Sequence, residues 1–136
     1  MISVLVLTHG QLAGELLDAA KKIDPLLAES TEALPLPWDV SSDEARRLLQ
    51  QLLRKLDSES GVLILTDMFG GTATNLALPF LEPGKIEVVT GTNLPMLVKL
   101  GSLRCLDLPL SEIATRLTRA GQKSIRMASE LLQTRT

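Results

Sequence analysis

Three short runs, ISVLVL (2–7), GVLILT (61–66) and KIEVVT (85–90), are largely apolar and rich in β-branched residues. A strand with one wet face alternates apolar and polar residues. A continuous apolar run belongs instead to a strand covered on both faces, the situation of parallel sheets. A weaker strand candidate, EALPL (32–36), lies between the first two. The stretches between the runs carry apolar residues at helical spacing: Leu12, Leu16, Leu17, Ala20 and Ile23 within 11–23, and Leu48, Leu49, Leu52, Leu53 and Leu56 within 41–56. SSDEARRLL opens the second of these like a capped helix, with serines followed by acidic residues in the first turn. Residues 70–84 predict a tight turn leading into a short helix that ends near Pro83-Gly84, and 94–100 and 109–120 predict two more helices. The tail from Gly121 fits strand or helix equally well by pattern.

Strand and helix alternate along 136 residues with no internal repeat or low-complexity linker. This predicts one domain, 1–136, of α/β class: an open, doubly wound, mostly parallel sheet with helices on both faces and right-handed crossovers. About two thirds of the unfolded surface of such a chain is buried on folding. With aromatics at 2%, the core must be built from Leu, Val, Ile and Ala, and recognition of nucleic acid by base stacking is disfavoured. A formal charge of −2 supplies no basic field for phosphate backbones or anionic lipid. No apolar run approaches the roughly 20 residues of a membrane span, and MISVLVLTHG lacks the cationic start and small-residue cleavage site of a leader. The expectation is a soluble, cytoplasmic protein that neither binds nucleic acid nor inserts into a membrane. Cys105 has no second cysteine to pair with and is expected to be a small buried hydrophobe; no His or Cys cluster suggests a metal site.

In a sheet of order 2-1-3-4 the carboxyl ends of strands 1 and 3 are neighbours at the switch point, and ligands bind in the crevice outside them. THG follows strand 1 and TDMFGGTATN follows strand 3, so His9, the sole histidine, should meet Asp67. A carboxylate that accepts the Nδ1 proton fixes the tautomer, leaves the Nε2 lone pair outward and stabilises positive charge developing on the ring. His9 is then a nucleophile or a base. Gly70, Gly71 and the start of the following helix should aim backbone N–H groups at the space above it, an environment that favours a phosphoryl group. The nearby hydroxyls of Thr8, Thr66, Thr72 and Thr74 suit hydrogen bonding to an oxyanion better than attack. There is no P-loop lysine and no Gly-x-Gly-x-x-Gly fingerprint, so nucleotide hydrolysis and dinucleotide binding lack their parts. What remains is a histidine that holds a phosphoryl group between two partners. Asp67 is also compatible with a plain helix cap and Gly70-Gly71 with a plain turn. Phe69 fits the core or the crevice rim, and Trp38 in PLPWDVSS fits surface packing or partner contact.

Three stretches resemble the enzyme IIA domain of the mannose/fructose class of the phosphoenolpyruvate-dependent sugar phosphotransferase system (PTS): VLTHGQLAGELL, GVLILTDMFGGTATNLA and VVTGTNLPMLVKL. The resemblance implies that His9 takes a phosphoryl group from the phosphorylated carrier HPr and passes it to a IIB protein, with Asp67 orienting His9. It further implies that Thr72 and the amides of Gly70 and Gly71 touch the phosphoryl oxygens. No cofactor is implied. The family also implies a homodimer with an antiparallel edge strand exchanged between subunits, placed near Lys123 to Met127. The sequence departs from the family by holding Phe69 where Trp is frequent and Thr where Ser is familiar. It ends at Thr136 without a fused IIB domain, which implies a separate acceptor. The rim of Phe69, Asn93, Leu94, Pro95 and Met96 is the candidate docking face, with dimer packing as its alternative. Two other functions stay open: an interaction module switched by phosphorylation of His9, and the phosphocarrier subunit of dihydroxyacetone kinase.

Overall fold

The computed structural model describes residues 1–133. Its elements run β1 (Ser3–His9), α1 (Leu12–Ile23), a 3-10 turn (Pro25–Ala28), β2 (Thr31–Leu36), α2 (Ser42–Lys55) and β3 (Val62–Thr66). They continue with α3 (Thr72–Ala77), a second 3-10 turn (Leu78–Phe80), β4 (Ile86–Val89), α4 (Leu94–Leu103), α5 (Leu110–Lys123) and α6 (Ala128–Gln133). All pairings between the four strands are parallel and the order is β2-β1-β3-β4, as the sequence predicts.

The unbroken hydrophobicity of β1 follows from its central place. Val4 and Val6 point to one layer with Leu63 and Leu65, where Leu97 and Leu100 of α4 and Ile113 and Leu117 of α5 cover them. Leu5 and Leu7 point to the other with Ile64, against Leu49 and Leu53 of α2 and Ala73 and Ala77 of α3. Successive strand residues face opposite ways, so the middle of such a strand, Val4 to Leu7 in β1 and Val62 to Leu65 in β3, is apolar at every position. Each large side chain buried this way is worth about 1.5–3 kcal/mol.

Local chemistry sets the helix ends. Ser41 caps α2 by accepting from the Glu44 amide at 3.1 Å, and Asn93 caps α4 by accepting from the Met96 amide at 3.0 Å. α1 ends at Asp24, which the following Pro25 holds in an extended conformation. The third predicted helix is shorter than the sequence suggests: α3 stops at Ala77, and Pro79 falls in the 3-10 turn, well before Pro83-Gly84.

One further expectation needs correction. Cys105 is exposed, and its neighbour Arg104 is the buried residue at 2% exposure. The Arg104 guanidinium donates to Thr31 Oγ1 at 3.0 Å, to the Leu26 carbonyl at 2.9 Å and to the Glu29 carbonyl, tying the end of α4 to the entry of β2. Among the described residues the tail forms no strand: Lys123 closes α5, 125–127 are irregular, and α6 follows. No helix of the described residues is long and apolar enough to cross a membrane.

Arg104→Ala removes three hydrogen bonds, the one to Thr31 Oγ1 buried and the two to carbonyls part-buried. We expect a loss of about 2–4 kcal/mol in urea unfolding with an unchanged slope; an unmoved midpoint would refute the clamp.

Candidate active site

β1 and β3 lie side by side, and the residues just beyond the Leu7–Thr66 pair are His9 and Asp67. The carboxylate binds the histidine twice through one oxygen: Asp67 Oδ2 stands 2.7 Å from His9 Nδ1 and accepts the His9 backbone amide at 3.0 Å. Its other oxygen, Oδ1, accepts the Met68 amide at 2.9 Å. Partial burial pushes the Asp67 pKa up, but the His9 amide, the His9 ring and the Met68 amide together outweigh it and hold the group below the usual carboxylate range. Asp67 is therefore an anion at neutral pH and only accepts hydrogen bonds, so in the neutral imidazole the proton sits on Nδ1 and the lone pair on Nε2. The two side chains are 21% and 12% exposed, so the pair is accessible at one edge and sheltered elsewhere.

The surrounding backbone is shaped to that ring. Gly10 has φ +55°, which swings the chain from β1 into α1, while its amide still donates to the Leu36 carbonyl at 2.8 Å. A Cβ on Gly71 would stand 3.2 Å from His9 Cε1 and 3.1 Å from Met68 Cγ, so the absence of a side chain lets this turn close against the imidazole. Trp38 stacks on the ring from the next loop, with centroids 5.2 Å apart and planes inclined by 17°. Its place follows from the sheet: Leu36, the last residue of β2, pairs with His9, so the chain leaving β2 emerges beside the imidazole.

The threonines divide into framework and surface. Thr8 is fully buried and accepts the Ala13 amide at 2.6 Å, supplying the start of α1 with the cap that Gln11 does not provide. Thr74 donates to the Met68 carbonyl at 2.6 Å and so accepts from Thr66 Oγ1, 2.7 Å away. Thr92 in turn donates to the Thr66 carbonyl from its amide at 3.0 Å and its hydroxyl at 2.7 Å. Thr8, Thr66 and Thr74 thus hold the 67–71 turn and the start of α1, and burial removes them as oxyanion ligands. Thr72, the first residue of α3, is exposed, as is Gly70. The Gly71 amide donates to the Met68 carbonyl at 3.3 Å.

The candidate rim also divides. Phe69 is 77% exposed and Pro95 is exposed. Met96 is buried in the core, and half-buried Leu94 packs against that core. The Asn93 amide group is engaged with the Gly121 carbonyl and Ser124 Oγ, so Asn93 joins α4 to the end of α5. Met96 leaves the docking face because it lies on the inner side of α4. Trp38, left open by the sequence between surface packing and partner contact, is 80% exposed and stacked on His9. The signal that points to Trp38 is its place two residues beyond β2, the strand next to β1. Among the described residues, no three His, Cys, Asp or Glu side chains gather into a metal-binding set.

The fold and the site together define a phosphotransferase of the open α/β type. Residues 3–117 match the family described as the PTS system fructose IIA component, and the chain belongs to that family, the mannose/fructose class of PTS IIA components. It is 32% identical to the fructose-specific EIIA component of Bacillus subtilis (strain 168), over 98% of this chain and 90% of that one. It is 30% identical to the mannose-specific EIIAB component of Escherichia coli (strain K12), over 92% of this chain but only 39% of that protein. Among solved structures, the PTS IIA protein associated with the fucose utilization operon of Streptococcus pneumoniae superposes with TM-score 0.79 at 30% identity, covering 97% and 99% of the two chains. EIIA from Streptococcus agalactiae superposes with TM-score 0.85 at 23% identity, covering 96% and 99%, which supports the fold.

Folding lowers the Asp67 pKa, so its contribution to stability is fully present above the unfolded value of about 3.9 and is lost as pH falls through the lower folded value. The urea midpoint of the wild type should drop between pH 5 and pH 3 more steeply than that of Asp67→Asn. Parallel curves would contradict an anionic Asp67 held by His9.

Proposed function

We propose that His9 carries the phosphoryl group, accepting it from phosphorylated HPr and passing it to a IIB protein in the cytoplasm. The observation that carries this proposal is the 2.7 Å contact between His9 Nδ1 and Asp67 Oδ2, which leaves Nε2 as the only free ring nitrogen. In the accepting step the Nε2 lone pair attacks phosphorus in line with the N–P bond of the donor phosphohistidine. As the new N–P bond forms the old one breaks, and its electron pair returns to the donor nitrogen. The Nδ1 proton stays with the ring, where Asp67 stabilises the positive charge that attack creates. Passing the group to IIB reverses these roles. Family membership supports the kinds of partner, because a IIA component stands between HPr and IIB.

Thr72 and the Gly70 amide are proposed to contact the phosphoryl oxygens, for both are exposed at the turn that closes on His9. Phe69 and Pro95 are proposed to help form the surface on which partners dock. The chain is further proposed to act as a homodimer in which the segment near Lys123 to Met127 adds an antiparallel strand to its partner. Ile125 and Met127, exposed at 80% and 63%, supply the apolar surface that such pairing would cover.

The protein, incubated with phosphoenolpyruvate, enzyme I and HPr from a cognate source and kept from acid, should gain a single acid-labile, alkali-stable phosphoryl adduct by intact mass spectrometry. His9→Ala should gain none, and Asp67→Ala should acquire it at least about 10²-fold more slowly. No adduct on the wild type with a competent donor would defeat the proposal.

A further inference from the structure

The indole of Trp38 lies nearly parallel to the His9 imidazole, and a Cβ on Gly10 would come within 2.9 Å of its Nε1, so the bare Gly10 backbone leaves room for the stack. The opposite constraint comes from Gly71, whose close approach to Cε1 leaves the ring little room to turn. With Nδ1 held by Asp67, the plane of the imidazole is set at three places: by an anion at one edge, by an indole on one face and by the Gly71 turn at Cε1. Trp38 stays 80% exposed, so it is held against His9 without being buried in the core.

From this we infer that Trp38 is a positioning residue for phosphoryl transfer, favouring the phosphorylated ring. The inference rests on His9 being the phosphoryl carrier. Bonding phosphorus to Nε2 while Nδ1 keeps its proton makes the ring a delocalised cation. Asp67 meets that charge in the plane, and the electron-rich face of the indole meets it from above. The stack leaves the in-plane lone pair of Nε2 unobstructed, because attack at phosphorus occurs along the ring plane and not through its face. Phe69 is comparably exposed, but no ring contact joins it to His9 among the described residues.

Positioning and docking are separable by experiment. A surface that only docks the donor changes how fast the phosphoryl group moves. Removing a group that stabilises phosphohistidine also changes where it comes to rest. Dilute full-length protein is mixed with a limiting pool of phosphorylated HPr, without IIB, and the partition at equilibrium is read by intact mass spectrometry for the wild type, Trp38→Ala and Trp38→Phe. The partition should move toward HPr by about two- to fivefold in Trp38→Ala, the span of an exposed cation–π contact, and return most of the way in Trp38→Phe. Trp38 is the only tryptophan, so wild-type emission should also change as His9 is phosphorylated, with no change in His9→Gln. An unchanged partition in Trp38→Ala would overturn the inference, including the case in which only the rate falls, which would assign Trp38 to docking. A wild type that takes up no phosphoryl group would instead defeat the carrier proposal on which the inference rests.

Discussion

The Asp67 carboxylate makes three bonds, and the rest of the site depends on them. One oxygen binds the His9 ring and the His9 backbone; the other binds the amide that begins the 67–71 turn. This is possible only because β1 and β3 are adjacent and parallel, ending level with each other with nothing between. The crossovers that make them adjacent demand helices on both faces, and those helices demand strands apolar through their middles. Sheet, core and active edge are therefore consequences of one another.

Much of this was legible in the residues. The unbroken runs 2–7 and 61–66 are the inner strands, and their burial on both sides explains the absence of alternation. Neighbouring strand ends bring His9 to Asp67 across 58 positions of sequence, a meeting that the sheet order alone predicts. The softer run, 85–90, becomes the edge strand β4, where Ile86, Glu87 and Val88 are only half-buried.

What was illegible concerns the direction in which single side chains point. Met96 and Pro95 are adjacent, yet one faces the core and the other solvent, because α4 lies flat against the sheet. Cys105, expected to be buried, is exposed, while its neighbour Arg104 turns inward, where the carbonyls of Leu26 and Glu29 and the hydroxyl of Thr31 meet its guanidinium at the entry to β2. Trp38 lies in a loop with no periodicity to read, and its stacking on His9 depends on the bare backbone of Gly10. The same edge carries exposed Met68 and Phe69, so large apolar groups gather where the imidazole is accessible. With aromatics at 2%, the chain nonetheless exposes its tryptophan and one of its two phenylalanines.

The central claim is that Asp67 holds the Nδ1 proton so that Nε2 does the chemistry. A chain with one histidine allows a direct test, since labelling histidine with nitrogen-15 gives one pair of ring signals. Two-bond proton–nitrogen correlation spectra of the neutral ring should show the proton on Nδ1, and after phosphorylation the phosphorus–nitrogen coupling should fall on Nε2. A neutral ring protonated at Nε2, or phosphorus bonded to Nδ1, would contradict the account.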